Sequence, residues 1–219
     1  GWIQFGEIQH AADKAIADGI IPPMIIVMPD GKITWYINDY QGKDRYEDMI
    51  FTEFIPYIDA TFRTRPEKEF RGVAGLSMGG YGSLIWSLHH PETFAACAAL
   101  SSGVMTDEEI KNMPEDQYRS IFTNRFTSSP SDRLTPHWYK NSVIALFNQL
   151  PEDKKRDVRY WIDCGDDDFL YKGNSTLHIL LRDLNIPHEY RVRNGGHSWE
   201  YWRTGITDAL KFIGESFHR

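Results

Sequence analysis

Gly75-Leu76-Ser77-Met78-Gly79-Gly80 is the stretch on which the reading of this chain turns. It follows Phe70 to Gly75, an apolar run with the character of a buried strand, and precedes Tyr81 to His90, which reads as a helix. A Gly-x-Ser-x-Gly at such a junction describes a turn so sharp that the serine is strained and its hydroxyl projects from the sheet. Gly75 and Gly79 carry no side chains to collide across it. Ser77 is therefore the candidate nucleophile. The Met78 N–H lies at the positive end of the following helix and is the candidate oxyanion donor. Glycine-rich turns also join strands to helices where no chemistry occurs, so the rest of the chain must supply a base and an acid.

Both are found downstream of the serine, in the order Ser, Asp, His that an elbow serine requires. Residues 158–164 read as a strand followed by Gly165-Asp166-Asp167-Asp168, and 189–193 as a strand followed by Asn194-Gly195-Gly196-His197. Each candidate thus lies just past the carboxyl end of a strand, where open α/β sheets place their sites. Of eight histidines, His10 and His178 lie within helices, and His89 and His90 close the elbow helix before Pro91. His137 falls in a helical insertion, His188 opens a strand, and His218 is at the tail. Only His197 sits in a Gly-flanked loop directly after the last strand, free to turn back toward Ser77. The acid is less sharply defined, because Asp163, Asp166, Asp167 and Asp168 crowd one loop and a charge run is usually a solvated face. Asp168 is favoured, since Phe169-Leu170 form an apolar pair able to anchor the loop and turn the carboxylate inward.

At 219 residues the chain is expected to be one domain with a sizeable core. Its 41% hydrophobic and 25% charged content is globular, and a net charge of −7 leaves no basic stripe for nucleic acid. No apolar run reaches the roughly 18 residues of a membrane span. No signal peptide is visible at the start, although a processed one would leave none. Cys97 and Cys164 fall in core strands and read as buried free thiols. Neither a metal nor a cofactor is expected: no histidine pair has zinc spacing, and the aspartate cluster lacks the calcium-loop pattern. Aromatic residues are abundant, and several fall in predicted loops. Trp199, Tyr201 and Trp202 lie within five residues of His197, and with Trp35 they are the expected substrate-binding residues. The plainer account is that such rings pack the loops down.

Along the chain, residues 7–18 have helical spacing, Met24 to Met28 reads as a short strand, and 31–43 as an aromatic-rich loop. Tyr46 to Phe62 is helical, Phe94 to Leu100 a strand, Leu177 to Leu184 a helix, and Tyr201 to Phe217 a closing helix. Residues 104–152 break the alternation with Pro114, Pro130, Pro136 and Pro151 and read as a cap-like helical insertion. Strands alternating with helices indicate a mostly parallel sheet covered on both faces.

Four segments together resemble the esterase D / feruloyl esterase-like family of α/β-hydrolases. They are Pro23-Met24-Ile25-Ile26-Val27-Met28-Pro29-Asp30, Gly75 to Tyr81, Asp163-Cys164-Gly165 with Asp168-Phe169-Leu170-Tyr171, and Gly196-His197-Ser198-Trp199-Glu200-Tyr201-Trp202. The resemblance runs through nearly the whole chain. It implies that the aspartate before Phe-Leu-Tyr, Asp168, is the triad acid, and that the histidine before Ser-Trp, His197, is the base. It also implies an ester substrate, and the pattern around Asp168 and His197 is most similar to the carbohydrate-esterase members. A serine esterase acting on feruloyl, acetyl or similar esters of plant polysaccharides is the expectation, in a secreted or periplasmic setting. An acyltransferase of the same fold is the alternative within enzymes. A binding module that kept the fold without catalysis is the alternative outside them.

One departure from the family is large. Its members normally begin with several strands and a His-Gly-Gly-rich loop that supplies the second oxyanion N–H. This chain opens at Gly1-Trp2, where that loop would be ending. The expectation is that a separate N-terminal segment completes the sheet and brings the second donor beside Met78.

Overall fold

The computed structural model describes residues 1–122 and 124–218. Its centre is a parallel sheet of four strands in the order β1 (Gly72–Leu76), β2 (Ala96–Leu100), β3 (Arg159–Gly165) and β4 (His188–Arg193). Spatial order equals chain order, so every connection is a crossover carrying at least one helix. The register runs Val73↔Cys97↔Tyr160↔His188, which brings all four carboxyl ends to one edge of the sheet.

Period-two alternation sorts the strand residues between two cores. Cys97, Ala99, Tyr160 and Ile162 face the larger one, whereas Ala96, Ala98, Leu100 and Trp161 face the smaller. The small side chains of β2 matter here. Four of its five residues are Ala or Cys, so α4 (Met78–His89) and α11 (Trp199–Gly214) both pack directly against it. Helix α11 lies with α1 (Ile8–Ala17) over the smaller core, and α4 lies with α8 (Val143–Gln149) and α10 (Tyr171–Asp183) over the larger. Cys97 and Cys164 are free and buried; burial pushes the Cys97 thiol up to about 12, against a counter-effect from the Ser87 hydroxyl.

The segment 104–152, expected to be a cap-like insertion, forms α5 (Asp107–Asn112), α6 (Glu115–Ile121), α7 (Pro136–Lys140) and α8. A Thr106/Glu109 capping box starts α5, and the Thr135 and Ser142 side chains cap α7 and α8. Ile110, Tyr118, Phe122, Phe126, Trp138 and Phe147 from this segment are built into the larger core. After the short α9 (Glu152–Arg156) the chain enters β3.

Two elements differ from the sequence expectation. Helix α10 begins at Tyr171, six residues before the expected Leu177. Its first turns hold Gly173 and Asn174, which look like helix breakers but fit for tertiary reasons. A Cβ on Gly173 would stand 1.8 Å from the Val104 carbonyl oxygen. The buried Asn174 amide donates to the Ser102 and Leu170 carbonyls and accepts from the Ser102 hydroxyl. Met24 to Met28 is the second case. Met24 and Ile26 pack on the smaller core and Ile25 and Val27 are exposed, yet the segment joins no ladder. Pro22, Pro23 and Pro29 around it lack N–H donors. Between this segment and the outer edge of β1 runs an open groove of about 1650 Å³, lined by Val27, Val73, Gly75, Ile213 and Trp199 among others.

A buried carboxylate secures the region beneath α4. Glu47, in α2 (Tyr46–Met49), meets His89 Nδ1 at 2.7 Å and His90 Nε2 at 3.1 Å, and His90 stacks on Phe51. Burial works to raise the Glu47 pKa, but hydrogen bonds and charge from both histidines outweigh it and hold it below the usual value. His89 is raised: burial opposes its charge, and the Glu47 hydrogen bond and charge overcome that. The Glu47 contribution to stability is present above the ordinary carboxyl range and fades as pH falls through its lowered value. The His89 contribution is present below the ordinary imidazole value and fades as pH rises through its raised one. The cluster therefore contributes most between roughly pH 4.5 and 6.5. Glu47→Gln should lower the melting temperature most in that window, and thermal melts of both proteins at pH 5.5 and 8.5 check it.

Candidate active site

Strand β1 ends at Leu76 and α4 begins at Met78, leaving one residue to make the turn. Ser77 makes it at φ 54°, ψ −120°, a region that side-chain-bearing residues rarely occupy. Three bonds hold it there: its N–H donates to the Leu100 carbonyl, and its own carbonyl accepts from the Tyr81 and Gly103 N–H groups. Gly75 has no room for a side chain and Gly80 little, whereas a Cβ on Gly79, expected to collide across the turn, would meet nothing nearer than the Tyr36 hydroxyl oxygen at 3.5 Å. A Cβ on Gly75 would stand 2.2 Å from the Gly79 carbonyl oxygen, and one on Gly80 would stand 3.0 Å from the Leu100 carbonyl oxygen.

The strand ends then bring three side chains into one line. His197 Nε2 lies 2.9 Å from Ser77 Oγ, and His197 Nδ1 lies 2.9 Å and 3.1 Å from the two Asp168 carboxylate oxygens. The Asp168 side chain is fully buried, whereas the imidazole keeps 18% of its surface exposed. Burial pushes the Asp168 carboxyl up. Hydrogen bonds from His197, from the Leu170 N–H and from Ser101, together with the His197 charge, prevail and hold it below the usual range. A carboxylate ionised at neutral pH fixes the imidazole with Nδ1–H toward it and Nε2 free to take a proton from Ser77. Met78 is the first residue of α4, so its N–H has no acceptor within the helix and is available beside Ser77.

The aspartate cluster divides sharply. Asp166 and Asp167 are exposed; the Asp166 carboxylate accepts from the Gly195 N–H at 2.9 Å, and the Asp167 N–H donates to the Gly195 carbonyl. Both brace the histidine loop without touching the imidazole. Asp163, expected to share a solvated face, is fully buried in a two-point ion pair with Arg193 at 2.9 Å and 3.1 Å, and the Tyr201 hydroxyl donates to it. Burial raises the Tyr201 phenol, and the charge and hydrogen bonding of Asp163 add to the shift. This network ties β3, β4 and α11 together around the loop carrying His197. The available signal was the position of Asp163, inside an otherwise apolar strand.

The four aromatic residues expected to bind substrate are placed differently from that expectation. Trp35 is 7% exposed, stacks on Phe122 with centroids 4.7 Å apart, and donates to the Ile121 carbonyl. Tyr201 and Trp202 are 4% and 5% exposed. Tyr201 serves Asp163. Trp202 packs edge-on against His197, 4.8 Å between centroids, and donates its indole N–H to the buried Ser101 hydroxyl. Trp199 is half-buried among Trp2, Phe5 and Trp202. For Trp35, Tyr201 and Trp202 this is a correction: their rings are enclosed by the fold and leave no open face for a substrate. Their bonding demands are met internally, by a carbonyl, a carboxylate and a hydroxyl. Leu170 anchors the acid loop as expected, but Phe169 does not. It is 68% exposed and lies against His197.

The groove along β1 is lined by Gly75, Leu76 and Gly79 but by neither Ser77 nor His197. Geometry, rather than depth of cavity, marks the site. Among the described residues no group of three or more His, Cys, Asp or Glu side chains is placed to hold a metal ion.

Comparison with known proteins gives a consistent picture. A family model described as "Putative esterase" matches residues 1–213. The chain is similar to an acetyl esterase of Caldicellulosiruptor saccharolyticus, 27% identical over 199 residues, covering 87% of this chain and 71% of that protein. It is similar to an endo-1,4-beta-xylanase/feruloyl esterase of Xylanibacter ruminicola, 37% identical over 152 residues, covering 66% of this chain and 19% of that protein. Among solved structures, a ferulic acid esterase superposes with a TM-score of 0.80 at 32% identity, covering 99% of this chain and 80% of that one. An S-formylglutathione hydrolase from Staphylococcus aureus superposes with a TM-score of 0.76 at 22% identity, covering 97% and 78%; at that identity the likeness is one of fold. The fold shared with these structures is the α/β-hydrolase fold expected from the sequence.

Proposed function

Because this chain belongs to the "Putative esterase" family, we propose that it hydrolyses carboxylic esters through Ser77, His197 and Asp168, acting on feruloyl, acetyl or similar esters of plant-polysaccharide sugars. As a member of that family the chain is an esterase; its relatives include an acetyl esterase and a feruloyl esterase. The observation that carries the assignment of residues is the unbroken hydrogen-bond line from Ser77 Oγ through His197 to Asp168.

The chemistry follows from that line. Ser77 Oγ attacks the ester carbonyl carbon as its proton passes to His197 Nε2. The carbonyl oxygen becomes an oxyanion beside the Met78 N–H and the positive end of α4. Collapse breaks the bond to the alcohol oxygen, which leaves with the proton from His197. Water then attacks the acyl-serine, giving its proton to His197, and the second collapse releases the acid and restores Ser77. Asp168 stays ionised throughout and stabilises the imidazolium. The second oxyanion donor is proposed to come from an extended segment seated in the groove along β1. A single 219-residue chain, fully active on simple esters with nothing bound there, would remove that part.

A covalent phosphonate probe for activated serines tests the assignment. The chain should be labelled once, at Ser77, and not after Ser77→Ala. Labelling elsewhere, or labelling that survives the substitution, would overturn it. Hydrolysis of methyl ferulate and of acetylated xylo-oligosaccharide, followed by chromatography of the released acid, tests the substrate class.

A further inference from the structure

Phe169 stands alone in its loop. Its neighbours Asp168 and Leu170 are 1% and 5% exposed, yet its own ring is 68% exposed. The ring centroid lies 4.6 Å from that of His197, with the planes tilted by 46°. A scattered exposed apolar side chain needs no explanation; an aromatic one against the general base does. On the interior side the imidazole is already closed by the buried Trp202. Phe169 therefore borders the face from which a substrate approaches.

The chemistry assigns that border to one half of the ester. In acyl transfer the Nε2 of the base lies between the nucleophile oxygen and the departing alcohol oxygen, because the proton taken from one is given to the other. The oxyanion side lies instead at Met78. A ring packed on the imidazole thus adjoins the departing alcohol. An alcohol containing a six-membered ring, as in a pyranose ester, would present a flat C–H face to it. A small alkyl alcohol would not reach over the ring. The acid loop fixes this position: the Leu170 N–H bonds to the Asp168 carboxylate at 2.9 Å, so the backbone on either side of Phe169 is held.

We propose that Phe169 is the specificity-determining residue of the leaving-group site, the platform on which a ring-shaped alcohol stacks while His197 protonates its oxygen. This rests on Ser77 and His197 being nucleophile and base.

Two substrates with the same acyl group separate the role from its rivals: a monoacetylated methyl xylopyranoside and ethyl acetate. Phe169→Ala should lower kcat/KM on the sugar ester by about fivefold to tenfold, through KM, the range expected for loss of one aromatic contact. On ethyl acetate it should stay within about twofold of the parent, and Phe169→Trp should restore the sugar ester. Equal losses on both esters would mean that Phe169 only orders His197, and no loss on either would mean that it touches neither alcohol; both overturn the proposal. Hydrolysis that survives Ser77→Ala in the same assay would count first against the triad and, with it, against this assignment.

Discussion

Ser77→Ala should abolish ester hydrolysis, with kcat falling by roughly four to six orders of magnitude, the scale seen when a triad nucleophile is removed. The substitution is clean in this setting. Alanine keeps a Cβ at the same strained φ of 54°, so the backbone cost is unchanged, and only the hydroxyl bonded to His197 is lost. Circular dichroism and the melting temperature should match the parent. Rates on p-nitrophenyl acetate provide the check, since that ester reacts readily and leaves wide room to measure a fall. A variant within about tenfold of the parent would remove the mechanism, because binding and an oxyanion donor alone retain only a small residue of catalysis.

Asp168→Asn is expected to be the second most damaging change, about four orders of magnitude in kcat, because an amide allows the imidazole to settle in the wrong tautomer. The same substitution at Asp166 or Asp167 should cost far less. Asp166 holds the Gly195 N–H, and its loss loosens the histidine loop by one charge-assisted bond at an exposed site. The Asp167 side chain is exposed and only its backbone N–H engages Gly195. Measuring kcat for the three variants side by side ranks them. Equal losses would show that the cluster acts as a charge and not through one oriented carboxylate.

The sequence declared this site because each of its three residues is a local event at the end of a strand. Ser77 is marked by Gly75, which a turn of that sharpness leaves no room to replace. His197 follows two glycines that let its loop fold back. Asp168 sits among look-alikes, and only the motif with Phe169-Leu170-Tyr171 separated it from Asp166 and Asp167. The parallel sheet and the helices on both faces were legible for the same reason, since hydrophobic period is a local property. What the sequence concealed depends on distant partners. Whether Trp202 faces substrate or Ser101 is decided by β2, a hundred residues earlier. Asp163 looked like a member of a solvated run until Arg193, thirty residues on, supplied its counter-charge. Met24 to Met28 has the continuous apolar character of a short strand, but a ladder also needs a neighbour at the right spacing, and no pattern within the segment reports one.

The left-handed backbone at Ser77 also bears on how this protein would respond to improvement for heat tolerance. Holding a residue with a Cβ at φ 54°, ψ −120° costs on the order of 1–3 kcal/mol, and the rest of the fold carries that load. Glycine adopts such a conformation freely, although its looser unfolded chain returns about 0.5–1 kcal/mol of the gain. Ser77→Gly should therefore fold at least as well as the parent and melt up to a few degrees higher, while hydrolysing nothing. A screen that selected on melting temperature alone would be drawn to this position and would discard the enzyme in the process. Selection for durability has to be run with turnover as a second axis, because the two properties meet at one pair of dihedral angles.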